Sequence, residues 1–546
     1  MTLVATSPGS VPRVPPDASI EALPAIIARR SDAHGDRVWL QDVLGDSATY
    51  VEAQQRSRRW ASALAGIGVG VGDRVATLLS NSVDSVLTWL GIAQVGAIEA
   101  PVHPAFTGYM LEHTINTVGA EVVIVEAARL TRVLDALPQV PTVRLVVVVG
   151  GDGTAHDSVV ASEDLLRQAG GPVETVDLHA WDPAAIIFTS GTTGPSKGVV
   201  TPWGVIRCTA QRTFPYDDLD ADDAVYVFTP ASHIGAKVLP YLAAMLGGRA
   251  VMRADFKIGS FLDDIRQWGI TTTPAVGAIP HFLVQMPEQP DDRDIPLRNM
   301  VMAPLVPDLD DFRQRFGVRI CTAYSMTELS IPFASVGWDV DNHGAVGKHI
   351  PGWPGIQVRL VDDHDREVAA GEVGELIVRS DEPWTLNSGY YGMADATANA
   401  WRNGWYHSGD AFRRDEEGYY YFVDRVKDCI RRRGENISSF EVETIVNQFP
   451  GVGETAAVGV PADEGEDEVK VFVVPTDPND PPDPQDLTDF LISRMPRFMI
   501  PRYIEVVDDL AKTVGTLRLK KQELRERGNT AATWDRVAAG MVLPRT

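Results

Sequence analysis

The chain has 546 residues, 44% of them apolar and 23% charged, with a formal net charge of -25. That length exceeds what one hydrophobic core serves and predicts at least two domains. The acidic balance disfavours nucleic acid or an anionic membrane as partner, but leaves room for a small anionic molecule in a pocket where local lysines and N–H groups decide.

In chain order, the first 17 residues are rich in Pro, Ser and Val and lack the basic-then-apolar pattern of a secretory signal. A cytoplasmic location is expected. The glycines of 66–72 follow no strand, so they read as a turn after a helix and not as a dinucleotide fingerprint. A strand over 74–79, a helix over 82–94 and a strand over 120–125 then set a strand–helix–strand rhythm. The run 143–149 is too short to span a bilayer and reads as a buried strand. A strand over 224–228 and a helix over 237–246 continue the rhythm, which implies parallel sheets covered by helices.

From 355 the pattern changes to short strands, at 357–361, 374–378 and 419–423, predicting a small β-rich subdomain over about 355–423. The charged interruption 424–428 reads as a hinge. Beyond it lies a compact α+β stretch, with helices over 439–448 and 486–494 and strands over 454–460 and 469–474. The four prolines of 477–486 mark a surface loop, and the tail beyond Arg527 is expected to pack loosely. The fold class is α/β: a large domain over 1–423, the hinge 424–428, and a small, mobile C-terminal domain over 429–546. Cys208, Cys321 and Cys429 are far apart and form no C-x-x-C pair. They support neither a zinc site nor a disulfide framework and are expected to be buried, reduced thiols.

The chemistry concentrates after the apolar triplet Ile186, Ile187 and Phe188, the end of a buried strand. Thr189, Ser190, Thr192, Thr193 and Ser196 offer five hydroxyls beside the flexible backbone of Gly191 and Gly194, and Lys197 adds a positive charge. Glycine lets backbone N–H groups turn toward an anion, so the run reads as a grip for polyphosphate. It is not the common P-loop, whose G-x-x-x-x-G-K-[ST] spacing is absent.

Four further segments strengthen that reading. Tyr324-Ser325-Met326-Thr327-Glu328 groups an aromatic, hydroxyls and a carboxylate. Trp405-Tyr406-His407-Ser408-Gly409-Asp410 ends in a carboxylate after a glycine turn. Asp424-Arg425-Val426-Lys427-Asp428 joins the domains and is followed by Arg431-Arg432-Arg433-Gly434-Glu435-Asn436-Ile437, and Lys512 to Lys521 lies near the end. In this order and at these intervals the set resembles the adenylate-forming superfamily of acyl-CoA synthetases, luciferases and peptide-synthetase adenylation domains, over roughly residues 20–530. The stretch from Arg431 to Glu443 reads like acid–CoA ligases of the carnitine/crotonobetaine type.

The resemblance implies ATP and Mg²⁺ as cofactors and CoA as co-substrate. An oxyanion attacks the α-phosphorus of ATP while pyrophosphate leaves, so the site must neutralise charge and hold atoms in line. It implies that Thr189 to Lys197 clasp the departing phosphates and that Thr327 and Glu328 contact phosphate and Mg²⁺, a hard carboxylate suiting a hard cation. Tyr324 would stack on adenine beside Ala303 and Pro304, Asp410 would accept the ribose hydroxyls, and Arg425 would reach the same ribose. Lys427 sits where the family keeps the residue about which the small domain swings. The acid pocket is expected near Pro230-Ala231-Ser232-His233, with Lys237 four residues on, and against Ala303-Pro304-Leu305, Ser325 and Met326. A lysine there would suit a small or polar substrate bearing a second anion. Arg431 to Arg433 read as a solvated face, and His407 as structural.

The pattern breaks at the end. The family stretch is Pro-Lys-Thr-x-x-Gly-Lys-hydrophobic-x-Lys, and here Lys512-Thr513 begins it without a Gly-Lys pair. Counting forward from Lys512 puts Leu517 at the catalytic lysine's place; counting back from Lys521 puts Arg518 there and keeps Leu519 at the hydrophobic position, which is preferred. Arginine keeps the charge but is bulkier and planar. Either Arg518 serves an ordinary carboxylate, or Lys520 or Lys521 reaches the site, or the activated anion is not a carboxylate. The last alternative has a concrete form in ATP-dependent diazotases, which activate nitrite for an aromatic amine. A third reading is a catalytically degenerate nucleotide-binding module. Oligomeric state is not legible.

Overall fold

The computed structural model describes residues 19–151, 156–171, 173–189, 196–254, 256–276, 279–306, 308–338, 340–349, 355–425, 430–432, 435–437, 439–461, 467–492, 494–495, 497, 499–512, 519–541 and 543. Valine- and isoleucine-rich runs build the first sheet. Its seven strands run, in spatial order, Val159–Ala161, Leu145–Val149, Val122–Glu126, Arg74–Leu78, Ile98–Pro101, Pro183–Thr189 and Lys197–Pro202. All pairings are parallel except the last, a hairpin. Because side chains alternate along a strand, Val123 and Val125 face one core while Val122 and Ile124 face another. The second core also takes Val225, Val227, Ala250 and Met252 of the second sheet. One apolar layer therefore joins both sheets.

The second sheet is likewise seven-stranded, from Arg319–Cys321 through Asn299–Ala303 and Ala224–Val227 to an edge hairpin of Val38–Asp42 and Ser47–Thr49. The glycine run after residue 66 is a turn, since the helix Tyr50–Gly66 ends there and the next strand begins at Arg74. The helix Val83–Gln94 starts where expected because Ser82 and Ser85 cap each other reciprocally, Ser82 Oγ accepting from the Ser85 amide and Ser85 Oγ from the Ser82 amide, each at 3.1 Å.

A third, antiparallel sheet of seven strands runs Ala323–Met326, Ser330–Ala334, Gly347–Lys348, Tyr419–Arg425, Tyr406–Arg414, Val373–Ser380 and Ile356–Val361. It is larger than the expected β subdomain, because it recruits strands from Ala323 onward, before the turn-rich stretch begins. Its strand Tyr419–Arg425 also continues through Asp424 and Arg425, at the start of the segment read as a hinge.

The C-terminal sheet pairs Val452–Pro461, Asp467–Pro475, Tyr503–Val506 and Trp534–Asp535. The last strand corrects the expectation of a loosely packed tail. Tyr503 pairs with Asp535 and Ile504 with Trp534, and Leu543 is buried. Lys470, buried with Glu505, ties the tail down by reaching Glu505 Oε2 at 2.6 Å, the Gly528 carbonyl at 2.6 Å and Thr533 Oγ1 at 2.9 Å. Arg502 adds a two-nitrogen contact to the Asp535 carboxylate at 3.3 and 3.2 Å. That pair is partly exposed, so Arg502→Met should cost no more than about 1 kcal/mol, and should show as faster amide exchange at Trp534 and Asp535 with the rest of the sheet unchanged.

Arg432 also departs from expectation. It is buried, not solvated, with its guanidinium 2.8 Å from Glu468. Cys208 and Cys321 are buried free thiols, and burial raises both pKa values; Cys429 lies outside the described residues. Among the described residues no helix is long and apolar enough to cross a membrane.

Candidate functional site

The strand Pro183–Thr189 delivers Thr189 at its carboxyl end, and the hairpin returns with Lys197 as the direct cross-strand partner of Thr189. The mouth of the hydroxyl-and-glycine loop is thus framed by a hydroxyl and an ammonium. Ser190, Gly191, Thr192, Thr193 and Gly194 lie outside the described residues. Thr189 Oγ1 faces Glu328 Oε1 at 3.5 Å, which joins two motifs 139 residues apart.

Glu328 and Thr327 are buried, in the turn between Ala323–Met326 and Ser330–Ala334. The Glu328 carbonyl accepts from the Asn387 amide at 3.1 Å and from Asn387 Nδ2 at 2.9 Å. Its carboxylate is approached by the Tyr390 hydroxyl at 3.5 Å, and that hydroxyl lies 2.9 Å from the hydroxyl of Tyr406. Burial, then the Glu328 carboxylate and Tyr390, push the Tyr406 phenol well above its ordinary range, so it stays protonated.

Tyr324 and Asp410 also meet, the Tyr324 hydroxyl donating to Asp410 Oδ2 at 2.5 Å. Asp410 is the cross-strand partner of Arg425, so positions from three motifs are brought together. The turn before Asp410 is held by Glu375, which accepts from the Gly409 amide at 3.0 Å and from His407 Nδ1 at 2.9 Å. Buried His407 is thus tied to the same carboxylate that holds the bend. Gly409 takes a φ of 71°, which favours glycine there.

Ala303 ends a parallel strand, and Pro304 and Ser325 are exposed beside partly open Ala303, Tyr324 and Met326. Strand carboxyl ends of this kind are where α/β sheets place ligands. His233 is partly open, and its Nδ1 accepts from the Gly235 amide at 3.1 Å, so the neutral ring carries its proton on Nε2.

Lys237 does not take the expected place on a substrate pocket. It is buried in the first turn of the helix Gly235–Leu246, with Nζ 2.5 Å from Glu99 Oε2 and 4.7 Å from the centroid of the Trp89 ring. Its charge is neutralised within the shared core, so it offers nothing to a second substrate anion. The four-residue spacing from His233 misled because the helix starts at Gly235, turning Lys237 toward the first sheet.

In the small domain Lys512 pairs antiparallel with Leu519 and contacts Glu454 at 2.6 Å. Lys427 and Arg518 lie outside the described residues. Both lysines considered as stand-ins for the terminal lysine are engaged locally. Lys520 contacts Glu523 at 2.8 Å, and Lys521 contacts Glu443 at 2.8 Å and the Ser439 hydroxyl. Ser439 in turn donates its amide to Asp424 Oδ2 at 2.8 Å, binding the first helix of the small domain to the last strand of the large one.

Comparison with known proteins identifies a family over most of the chain. Residues 27–391 match the family described as AMP-binding enzyme, and residues 441–515 match its C-terminal domain. The chain belongs to the AMP-binding enzyme family. Among curated relatives of this AMP-binding enzyme, the crotonobetaine/carnitine–CoA ligase of Salmonella enteritidis is 29% identical over 494 residues, covering 87% of this chain and 92% of the relative. The crystal structure of ATP-bound MatB from Rhodopseudomonas palustris superposes with a TM-score of 0.80 at 26% identity, over 92% of this chain and 98% of the other. The amide bond synthetase McbA from Marinactinospora thermotolerans does so at 0.77 and 25% identity, over 93% and 100%. The structural relatives share the large domain of sheets and helices and the small C-terminal domain.

Further residues of the AMP-binding enzyme border the candidate site without carrying a motif signal. Asn387, Tyr390 and Glu375 reach it only through tertiary pairing, and nothing in their local spacing marks them. Tyr406 lies inside the Trp405–Asp410 motif, but its contact with Tyr390 was not legible there.

Proposed function

We propose that this AMP-binding enzyme is an AMP-forming acid–CoA ligase acting on a small or aromatic carboxylate. The observation that supports it is that Thr189, paired across the hairpin with Lys197, meets Glu328, while Tyr324 meets Asp410, the cross-strand partner of Arg425. Tyr324 would stack on adenine while Asp410 and Arg425 hold the ribose, leaving the phosphates over the mouth between Thr189 and Lys197. Thr327 supplies a hydroxyl to the same phosphates. The acid enters between His233, Ala303, Pro304, Ser325 and Met326, in line for the α-phosphorus; holding it there accounts for much of the rate in such a reaction.

Glu328 fits a divalent cation, since a buried carboxylate facing the hydroxyls of Thr189 and Tyr390 offers hard oxygen ligands. Mg²⁺ is commonly held by one or two carboxylates together with substrate phosphates, and Glu328 would be such a carboxylate. Mg²⁺ so held would neutralise charge on the departing pyrophosphate. The small domain would close by turning about Lys427 and bring Arg518 to the reacting oxygen. Arg518→Ala should then slow adenylation about a hundredfold, measured as single-turnover AMP-adduct formation; unchanged adenylation would show that another residue fills the role.

The acceptor is the finer question, because the curated relatives are named for CoA and one structural relative for amide bonds. The second reading, an ATP-dependent diazotase, is favoured by Leu517-Arg518 standing where the family has Gly-Lys. Pyrophosphate release should be followed with a panel of aryl and short-chain acids plus CoA, then with nitrite plus aminoaryl acids. Release that needs an acid and yields a thioester supports the ligase. Release that requires nitrite and ignores CoA replaces it with the diazotase, and ATP binding without release in either series leaves a degenerate binding module.

A further inference from the structure

Tyr390 stands between the two charges the reaction depends on. Its hydroxyl approaches Glu328 Oε1 at 3.5 Å, while the Lys197 ammonium lies 4.8 Å from the centroid of its ring. The electron-rich ring face suits a cation and the phenolic proton suits a carboxylate. One side chain therefore faces a cation with its ring and an anion with its hydroxyl.

The segment that carries it is over-determined. Residues 388–391 run beside the return strand of the phosphate hairpin. The Tyr391 amide donates to the Gly198 carbonyl at 2.7 Å, Val200 to Gly389 at 3.0 Å and Ser388 to Val200 at 2.9 Å. The Tyr390 amide donates to Thr397 Oγ1 at 2.9 Å. Gly389, at a φ of 98°, sits so close to Thr397 that a Cβ would come within 2.7 Å of its methyl. Asn387, which grips the Glu328 carbonyl, accepts from the Gly389 amide at 2.8 Å. The five consecutive residues 387–391 thus fix both the main chain and the carboxylate of Glu328 relative to Lys197, and the Tyr406 hydroxyl, 2.9 Å away, orients that of Tyr390.

The geometry points to Tyr390 as a positioning residue that sets the distance between Lys197 and the Glu328 carboxylate, with Tyr406 as its support; this rests on the reading of Glu328 as the Mg²⁺ carboxylate. Residues one layer behind a metal carboxylate commonly tune affinity by about tenfold to a hundredfold. ATP binding to the full chain, without acid or CoA, should be titrated by calorimetry across a series of Mg²⁺ concentrations and in EDTA. Tyr390→Phe, with an unchanged thermal midpoint, should raise the Mg²⁺ concentration for half-maximal enhancement about tenfold and leave binding in EDTA unaltered. Tyr390→Leu should in addition weaken binding in EDTA, because Lys197 loses the ring. Tyr406→Phe should shift the Mg²⁺ dependence the same way by less, and it tests the idea should the Tyr390 variants fail to fold. A parent that responds to Mg²⁺ with an unshifted Tyr390→Phe, or with an unshifted Tyr406→Phe should that variant not fold, overturns this inference alone. A parent whose ATP binding ignores Mg²⁺ overturns it together with the role given to Glu328.

Discussion

Glu328→Gln should lower kcat/KM for adenylation about a thousandfold while leaving the fold intact. The substitution keeps the shape and the neighbouring hydroxyls of Thr189 and Tyr390 but removes the charge. Removing one preorganised electrostatic partner of a developing charge typically costs a hundredfold to about a thousandfold, and the upper end is expected because Glu328 is buried, where water screens little. The loss should fall on kcat more than on the KM for the acid, since the carboxylate lies on the phosphate side of the site. Single-turnover formation of the AMP adduct separates the two; an adenylation rate within a few-fold of the parent would remove Glu328 from the machinery.

The second large effect is on stability. Lys237→Met should destabilise the large domain by about 3–5 kcal/mol, because it strands the buried Glu99 carboxylate. The Thr77 hydroxyl, 2.7 Å from Glu99 Oε1, is the neutral partner that stays, and it does not replace a full charge. The double variant Lys237→Met/Glu99→Leu should recover most of the loss, since replacing a whole buried pair by apolar groups is often close to neutral. Denaturant midpoints of the parent, both singles and the double make the cycle. A single Lys237→Met as stable as the parent would mean that the pair is solvated and that the core between the sheets is wetter than its packing indicates.

These two residues show where the sequence was informative and where it misled. Glu328 was legible because it sits in a five-residue cluster whose chemistry is local, as were Thr189 and Lys197, which a short hairpin brings face to face. Asp410 and Tyr324 were legible as members of separate motifs, but their direct hydrogen bond was not, since 86 residues separate them. Lys237 misled because its environment is decided by where a helix begins and by a glutamate on another strand. Tyr390 and Asn387 carried no signal at all: they matter only because residues 388–391 pair with Gly198 to Val200, a contact between distant parts of the chain. The third sheet starts earlier than expected because the local pair of Ala323–Met326 and Ser330–Ala334 is joined, through Gly347–Lys348, to the distant strand Tyr419–Arg425.

The bond between Asp424 and Ser439 bears on how the enzyme keeps time. Both the amide and the hydroxyl of Ser439 donate to Asp424 Oδ2, so a swing of the small domain that carried Ser439 away would give up two hydrogen bonds to a carboxylate, each worth roughly 1.5–3 kcal/mol when fully formed. On the proposed closure about Lys427, the junction would act as a detent, holding one orientation until ligands outweigh it. Substitutions at this one acid would reset the ratio of resting orientations, and with it the cadence of turnover, without altering any group that touches a substrate.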